Sequence, residues 1–226
     1  MNIMILNHMK QRYFSGWIIG SLALIVNVSS IAMNRQPGLY QEQAFIATGY
    51  DFSALGLKNC QSTRALDTTH YLAACRQTSP KAISGLRLFL VDTRQSEQNA
   101  ILFRSPDFGD AYYVKVTVFN KDQGDGPTFI LAESGAEFSY GVQIYMLDGS
   151  ELRSAGNIDE VLLDDEENAS SVVPTLQIKD TGQTVVFSFT KNVMVPDRQG
   201  NYTTVTPEQI RYIFDGRKLR RLLSNQ

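Results

Sequence analysis

The stretch YYVKVTVF (112–119) decides how this chain reads. In an extended backbone Tyr113, Lys115, Thr117 and Phe119 fall on one side, with Tyr112, Val114, Val116 and Val118 on the other. Alternation with a period of two, in residues that are β-branched or aromatic, predicts a strand with one buried face. A helix needs apolar residues recurring three and four positions apart, and no long stretch after residue 80 keeps that spacing.

The same texture extends in both directions. TVVFSFT (184–190) sets Val185, Phe187 and Phe189 against Val186, Ser188 and Thr190. LRLFLV (86–91), AILFRS (100–105), TFILAE (128–133), YGVQIYML (140–147), TLQIK (175–179), QIRYIF (209–214) and KLRRLL (218–223) are further short apolar runs. Gly, Asp, Asn and Pro separate them, as turns separate strands. Short links without crossover helices favour antiparallel neighbours. The expected fold is all-β, mainly an antiparallel meander, arranged as a sandwich, a barrel or a propeller-like sheet.

The expected organisation has three parts. Residues 1–32 read as a signal peptide: Lys10 and Arg12 precede the apolar run WIIGSLALIV (17–26), and Ser30 and Ala32 suit cleavage after Ala32. Met9 gives a better charged start than Met1. Residues 33–80 form a mixed N-terminal segment, and 81–226 the antiparallel β domain. The expected location is periplasmic or secreted, with membrane contact only if the N-terminal segment stays uncleaved.

Removal of 32 residues leaves 194, enough for one domain with a real core. That segment carries two of the 21 basic residues and none of the 23 acidic ones, so the remainder has a net charge of −4. Nucleic-acid binding needs a basic surface, and this composition argues against it.

Cys60 and Cys75 lie symmetrically about LDTT (66–69). A hairpin turning there sets them opposite one another, at a separation that suits a disulfide. The alternative for 66–77 is a helix capped by Asp67.

A short phrase recurs: YMLDGSELR (145–153) and YIFDGRKLR (212–220). Asp-Gly between apolar residues is a hairpin signal. A type I′ turn centred on Asp-Gly sets Tyr145 opposite Leu152 and Tyr212 opposite Leu219; a bulged type I turn shifts that register. The second copy adds Arg211, Lys218, Arg220 and Arg221, which on this register have no folding role and are the candidate binding residues. They could meet the acidic loop at 159–167, within the molecule or between copies.

Candidates for chemistry are sparse. His70 is the only histidine after residue 32, which leaves too few ligands for a zinc site, and no G-x-S-x-G elbow is present. Glu133 and Glu137, with Asp148, are the acids that could serve a hydrolase or carbohydrate-active site, which needs two carboxyls about 5–9.5 Å apart. Asp164, Asp165, Glu166 and Glu167 could offer oxygens to calcium, but they are contiguous instead of alternating as in an EF-hand. No cofactor is expected. The sequence therefore points to a non-catalytic binding or structural module with a protein or envelope partner; the hydrolase is the alternative.

Overall fold

The computed structural model describes residues 37–78, 83–163, 168–197, 199 and 201–224. The expected signal segment, 1–32, and the four acids Asp164, Asp165, Glu166 and Glu167 lie outside the described residues. All described residues belong to one compact unit.

The strands are β1 (Gly38–Glu42), β2 (Leu57–Ala65), β3 (His70–Thr78), β4 (Ile83–Asp92), β5 (Ile101–Arg104), β6 (Tyr113–Lys121), β7 (Thr128–Gly135), β8 (Ser139–Asp148) and β9 (Glu151–Ile158). They continue as β10 (Leu162–Leu163), β11 (Ala169–Ser170), β12 (Leu176–Asp180), β13 (Val185–Phe189), β14 (Val193–Pro196), β15 (Tyr202–Val205), β16 (Ile210–Phe214) and β17 (Leu219–Leu223). Helical structure among the described residues is confined to short 3₁₀ turns at Phe52–Leu55 and Val173–Thr175. The fold is all-β and the pairings are antiparallel, as the alternating runs require.

Nine strands form one sheet in the order β17-β16-β13-β12-β1-β6-β7-β8-β9. It curls until its two edges meet. Arg153 Nη2 on β9 donates to Gly216 O beside β17 at 2.9 Å. A methyl group placed on Gly156 of β9 would sit 3.0 Å from Leu219 Cβ of β17. The result is a nearly closed barrel. Its interior is filled from both halves of the sheet by Phe119, Phe129, Leu131, Ile144, Ile178, Phe187, Tyr212 and Phe214, with Phe129 edge-on to Phe187 and Phe214.

A four-stranded sheet, β2-β3-β4-β5, packs on the outside of the barrel. Leu72, Leu86, Leu88 and Leu90 meet Val114, Val116, Val118, Ile130 and Tyr145 across that interface. Its other face is covered by Phe52 and Leu55 of the first 3₁₀ turn, over Phe89 and Val91. Contiguous LFLV (88–91) is thus buried on both faces, which explains its lack of alternation. The strands on either side of residue 80 pair with one another, His70 opposite Asp92 through Arg76 opposite Leu86.

Two expectations need revision, and one alternative is set aside. First, β6 is not buried on one face only: Val114, Val116 and Val118 face the four-stranded sheet, while Thr117 and Phe119 are buried on the barrel side. Lys115 alone of its inner middle stays exposed. Second, residues 66–77 are not helical. Asp67, the would-be N-cap, closes the β2–β3 turn by accepting the backbone N–H of Thr69 and of His70, each at 2.7 Å. The hairpin brings Cys60 and Cys75 to a Cα separation of 4.0 Å, and they form a disulfide.

Third, both Asp-Gly turns are centred one residue later than a type I′ turn would be. Leu147 pairs with Leu152 and Asp148 with Glu151; Phe214 pairs with Leu219 and Tyr212 with Arg221. Gly149 and Gly216 take φ of +59° and +91°, and the residues after them keep negative φ. A type I′ turn needs positive φ at both central positions, whereas type II′ needs it only at the first, where glycine sits. The expected Tyr–Leu pairs therefore do not form.

Candidate binding cleft

The terminal hairpin answers for two of the four candidate basic residues. Arg220 pairs with Asp215 at 2.9 Å. Arg221 reaches Glu160 at 3.1 Å, and Glu160, fully buried, also accepts the phenol of Tyr212. Burial, then the charge of Glu160, pushes the Tyr212 phenol well above its ordinary value. Burial is the largest influence and opposes the Arg221 charge, but the hydrogen bond to Glu160 together with Tyr212 and the charges of Glu160 and Asp159 outweighs it and holds Arg221 above its ordinary value. The basic hairpin and the start of the acidic loop thus meet within the molecule. Arg211 and Lys218 remain exposed, Arg211 opposite Leu222 and Lys218 in the turn. The assumption that these cations have no folding role fails for Arg220 and Arg221.

The candidate acids are dispersed. Glu133, only 6% exposed, lies opposite Val142 on the barrel side of β7 and accepts the Tyr113 hydroxyl at 3.3 Å. Burial and then the charge of Glu133 push the Tyr113 phenol up to about 12. Asp148 lies six residues farther along β8 than Val142, about 20 Å by strand geometry. That is far outside the spacing of a hydrolytic carboxylate pair. Glu137 sits exposed at the tip of the β7–β8 hairpin. Asp180 forms a buried pair with Lys121 at 3.0 Å. His70 is flanked by Asp67 at 2.8 Å and Asp92 at 3.8 Å beside the β2–β3 turn. Among the described residues no cluster of three or more His, Cys, Asp or Glu side chains is placed to hold a metal ion.

What the sequence reading missed is a cleft of about 230 Å³ where β7, β8 and β9 reach the end of the barrel. Ser134, Tyr140, Gln143, Ser154, Asn157 and Asp159 line it, with Gly141 and Gly156. Register builds its floor: Gln143 pairs with Asn157, which sets two amides side by side on the outer face. A bulge at Ala155 keeps Ser154, opposite Tyr145, on that face as well. Tyr145, itself buried, donates its hydroxyl to Gln143 Oε1 at 2.7 Å. Asn157 Nδ2 donates to Asp159 Oδ1.

Tyr140 lines this cleft, and two further exposed aromatic residues lie just before the neighbouring strand β6 and in the β7–β8 hairpin. Tyr112 is 72% exposed, Phe138 44% and Tyr140 47%. Tyr112 N–H bonds to Gly135 O at 2.8 Å, so the start of β6 is tied to the hairpin that carries Phe138 and Tyr140. Gly135 is required there, because a side chain on it would run into the Tyr113 ring and the Phe138 carbonyl, within 2.7 Å. Desolvation, then the nearby Asp110, Tyr112 and Glu137, raises the Tyr140 phenol above its ordinary value. No family model, curated protein or solved structure matches this chain. The signal for the cleft was a lone amide, Gln143, inside the otherwise apolar VQIYML (142–147). No helix among the described residues is long and apolar enough to cross a membrane.

Proposed function

We propose that this chain is an exported, non-catalytic binding module of the cell envelope or secreted space, and that it contacts its partner through the β7–β8 end of the barrel. The observation that carries this reading is a polar cleft lined by the exposed Tyr140, with the exposed Tyr112 near that ring and the exposed Phe138 on the same β7–β8 hairpin. Exposed aromatic groups with a polar surround are the composition of a recognition surface. The disulfide supports an oxidising compartment, in line with the signal-like segment at 1–32. The buried carboxylates Glu133, Glu160 and Asp180 are engaged by Tyr113, by Tyr212 and Arg221, and by Lys121, which favours structural roles for them.

Co-purification from a native envelope fraction tests the reading. The intact protein should retain a specific partner, and Tyr112→Ala/Tyr140→Ala should lose it while melting at the same temperature. Equal recovery by both forms, or no specific partner for either, would contradict the proposal.

A further inference from the structure

We infer that the cleft between β8 and β9 receives an uncharged, hydroxyl-bearing sugar ring, presented as one unit of a glycan chain. This rests on the binding reading above and gives it a ligand class.

The lining side chains carry the inference. Ser134, Ser154, Gln143 and Asn157 supply two hydroxyls and two amides, with Asp159 as the one carboxylate and no basic side chain among them. Hydroxyls and amides each offer both donors and acceptors. Sugar hydroxyls need that mixture, because every one of them donates and accepts. A phosphate or carboxylate ligand would call for cationic or purely donating partners, and a metal ion for several oxygens with more negative charge. The neighbouring Asp110 and Glu137 make the rim less hospitable to anions still.

The polar groups are also held in place before any ligand arrives. The buried Tyr145 hydroxyl occupies Gln143 Oε1, which directs the amide N–H donors of Gln143 to the cleft. Asp159 occupies one N–H of Asn157, leaving the Asn157 carbonyl as an acceptor. Fixed donors beside fixed acceptors lower the ordering cost of binding.

Size and rim agree. At about 230 Å³ the cleft is below the roughly 300–1,000 Å³ typical of drug-sized ligands, so it holds one ring while the rest of a chain lies outside. Tyr140 lines the cleft, and Tyr112 is close enough to influence its phenol. The negative face of an aromatic ring attracts the C–H face of a sugar, and an exposed tyrosine leaves its hydroxyl for the polar edge.

Titration of the purified protein with N,N′,N″-triacetylchitotriose and with cellotriose, against trigalacturonic acid as the charged control, tests this. Calorimetry gives affinity and ¹H–¹⁵N spectra give the side-chain amides of Gln143 and Asn157. Saturable binding of a neutral trisaccharide is expected, with shifts in those two amides. Asn157→Ala and Tyr140→Ala should each weaken it about tenfold or more, or 1.4 kcal/mol or more, with melting unchanged. Gln143→Ala is the poorer variant because it also strips Tyr145 of its partner. The inference is overturned if neither neutral trisaccharide binds at millimolar concentration, if the acidic sugar binds better, or if both substitutions leave affinity unaltered. If it is overturned while Tyr112→Ala/Tyr140→Ala still abolishes envelope co-purification, only the sugar assignment falls; if that arm fails too, the binding reading falls with it.

Discussion

The side chain of Gln61 stands in for a strand beside Val114. Its Oε1 accepts the Val114 N–H at 3.1 Å, and its Nε2 donates to the carbonyl of Tyr112, two residues earlier, at 3.0 Å, so the pair brackets Tyr113. β1 covers β6 only at Phe119, Asn120 and Lys121, so the rest of that edge needs other partners. β2 supplies them from side chains: Ser62 Oγ donates to Val114 O at 2.8 Å and Arg64 Nη1 to Val116 O at 3.2 Å. Consecutive residues of a regular strand point to opposite faces. Here Asn59 and Ser62, at φ of 50° and 48°, bulge β2 so that Gln61 and Ser62 both reach β6.

Gln61→Leu removes both partners at once and should lower stability by about 1 kcal/mol or more. Gln61→Glu keeps an acceptor for Val114 but sets a carboxylate against the Tyr112 carbonyl, so it should not restore the loss. Urea unfolding of the three proteins checks this; equal midpoints would show that the side-chain edge contributes nothing.

Lys121 and Asp180 are both almost completely buried where β6 and β12 flank β1. Asp180 also accepts the Gly182 N–H at 2.8 Å. Asp180→Ala removes the carboxylate that faces a buried ammonium and should be strongly destabilising, by about 3 kcal/mol. The double variant Lys121→Met/Asp180→Leu should recover much of that, since no buried charge is then left unpaired. Thermal and denaturant unfolding measure both.

Tyr113 and Tyr145 have phenols pushed up to about 12, chiefly by burial, and Tyr212 is raised in the same direction. The native state therefore keeps protons that the unfolded chain gives up near pH 10. The stability these phenols confer is fully present below about pH 10 and is lost as pH climbs through their raised native values. Phenolate absorbance should show the exposed tyrosines ionising first, with the buried ones following only near pH 12 or with unfolding. Complete ionisation around pH 10 with the fold intact would contradict this.

The Cys60–Cys75 bridge closes a separation of 15 residues, for which loop entropy gives roughly 3 kcal/mol. Reduction should lower the urea midpoint by a matching amount. Because Gln61 of β2 accepts the Val114 N–H, amide exchange should quicken first at Val114. Uniform quickening across the barrel would argue against that coupling.

The sheet content was legible because alternation in β6 and β13 survives translation into burial: Val185, Phe187 and Phe189 all point into the barrel. The disulfide was legible because two cysteines flank one turn. Other features depend on contacts that no local pattern records. Gln143 and Asn157 are far apart in the chain and become neighbours only through the register of β8 and β9. Glu160 reads as part of an acidic loop, yet it ends up beneath Tyr212 and Arg221. The Asp-Gly turns were recognisable as turns, but their centre depended on which residues could take positive φ. Barrel closure, too, rests on a close approach of Gly156 and Leu219 that neither residue's neighbours announce.

Hydrogen–deuterium exchange of the protein with and without a detergent-solubilised envelope extract tests the central claim most directly. Protection confined to residues 112–113, 134–143 and 154–159 is the predicted result. Protection centred instead on the basic hairpin at 210–223, or none above that given by a mock extract, would contradict recognition through the β7–β8 end.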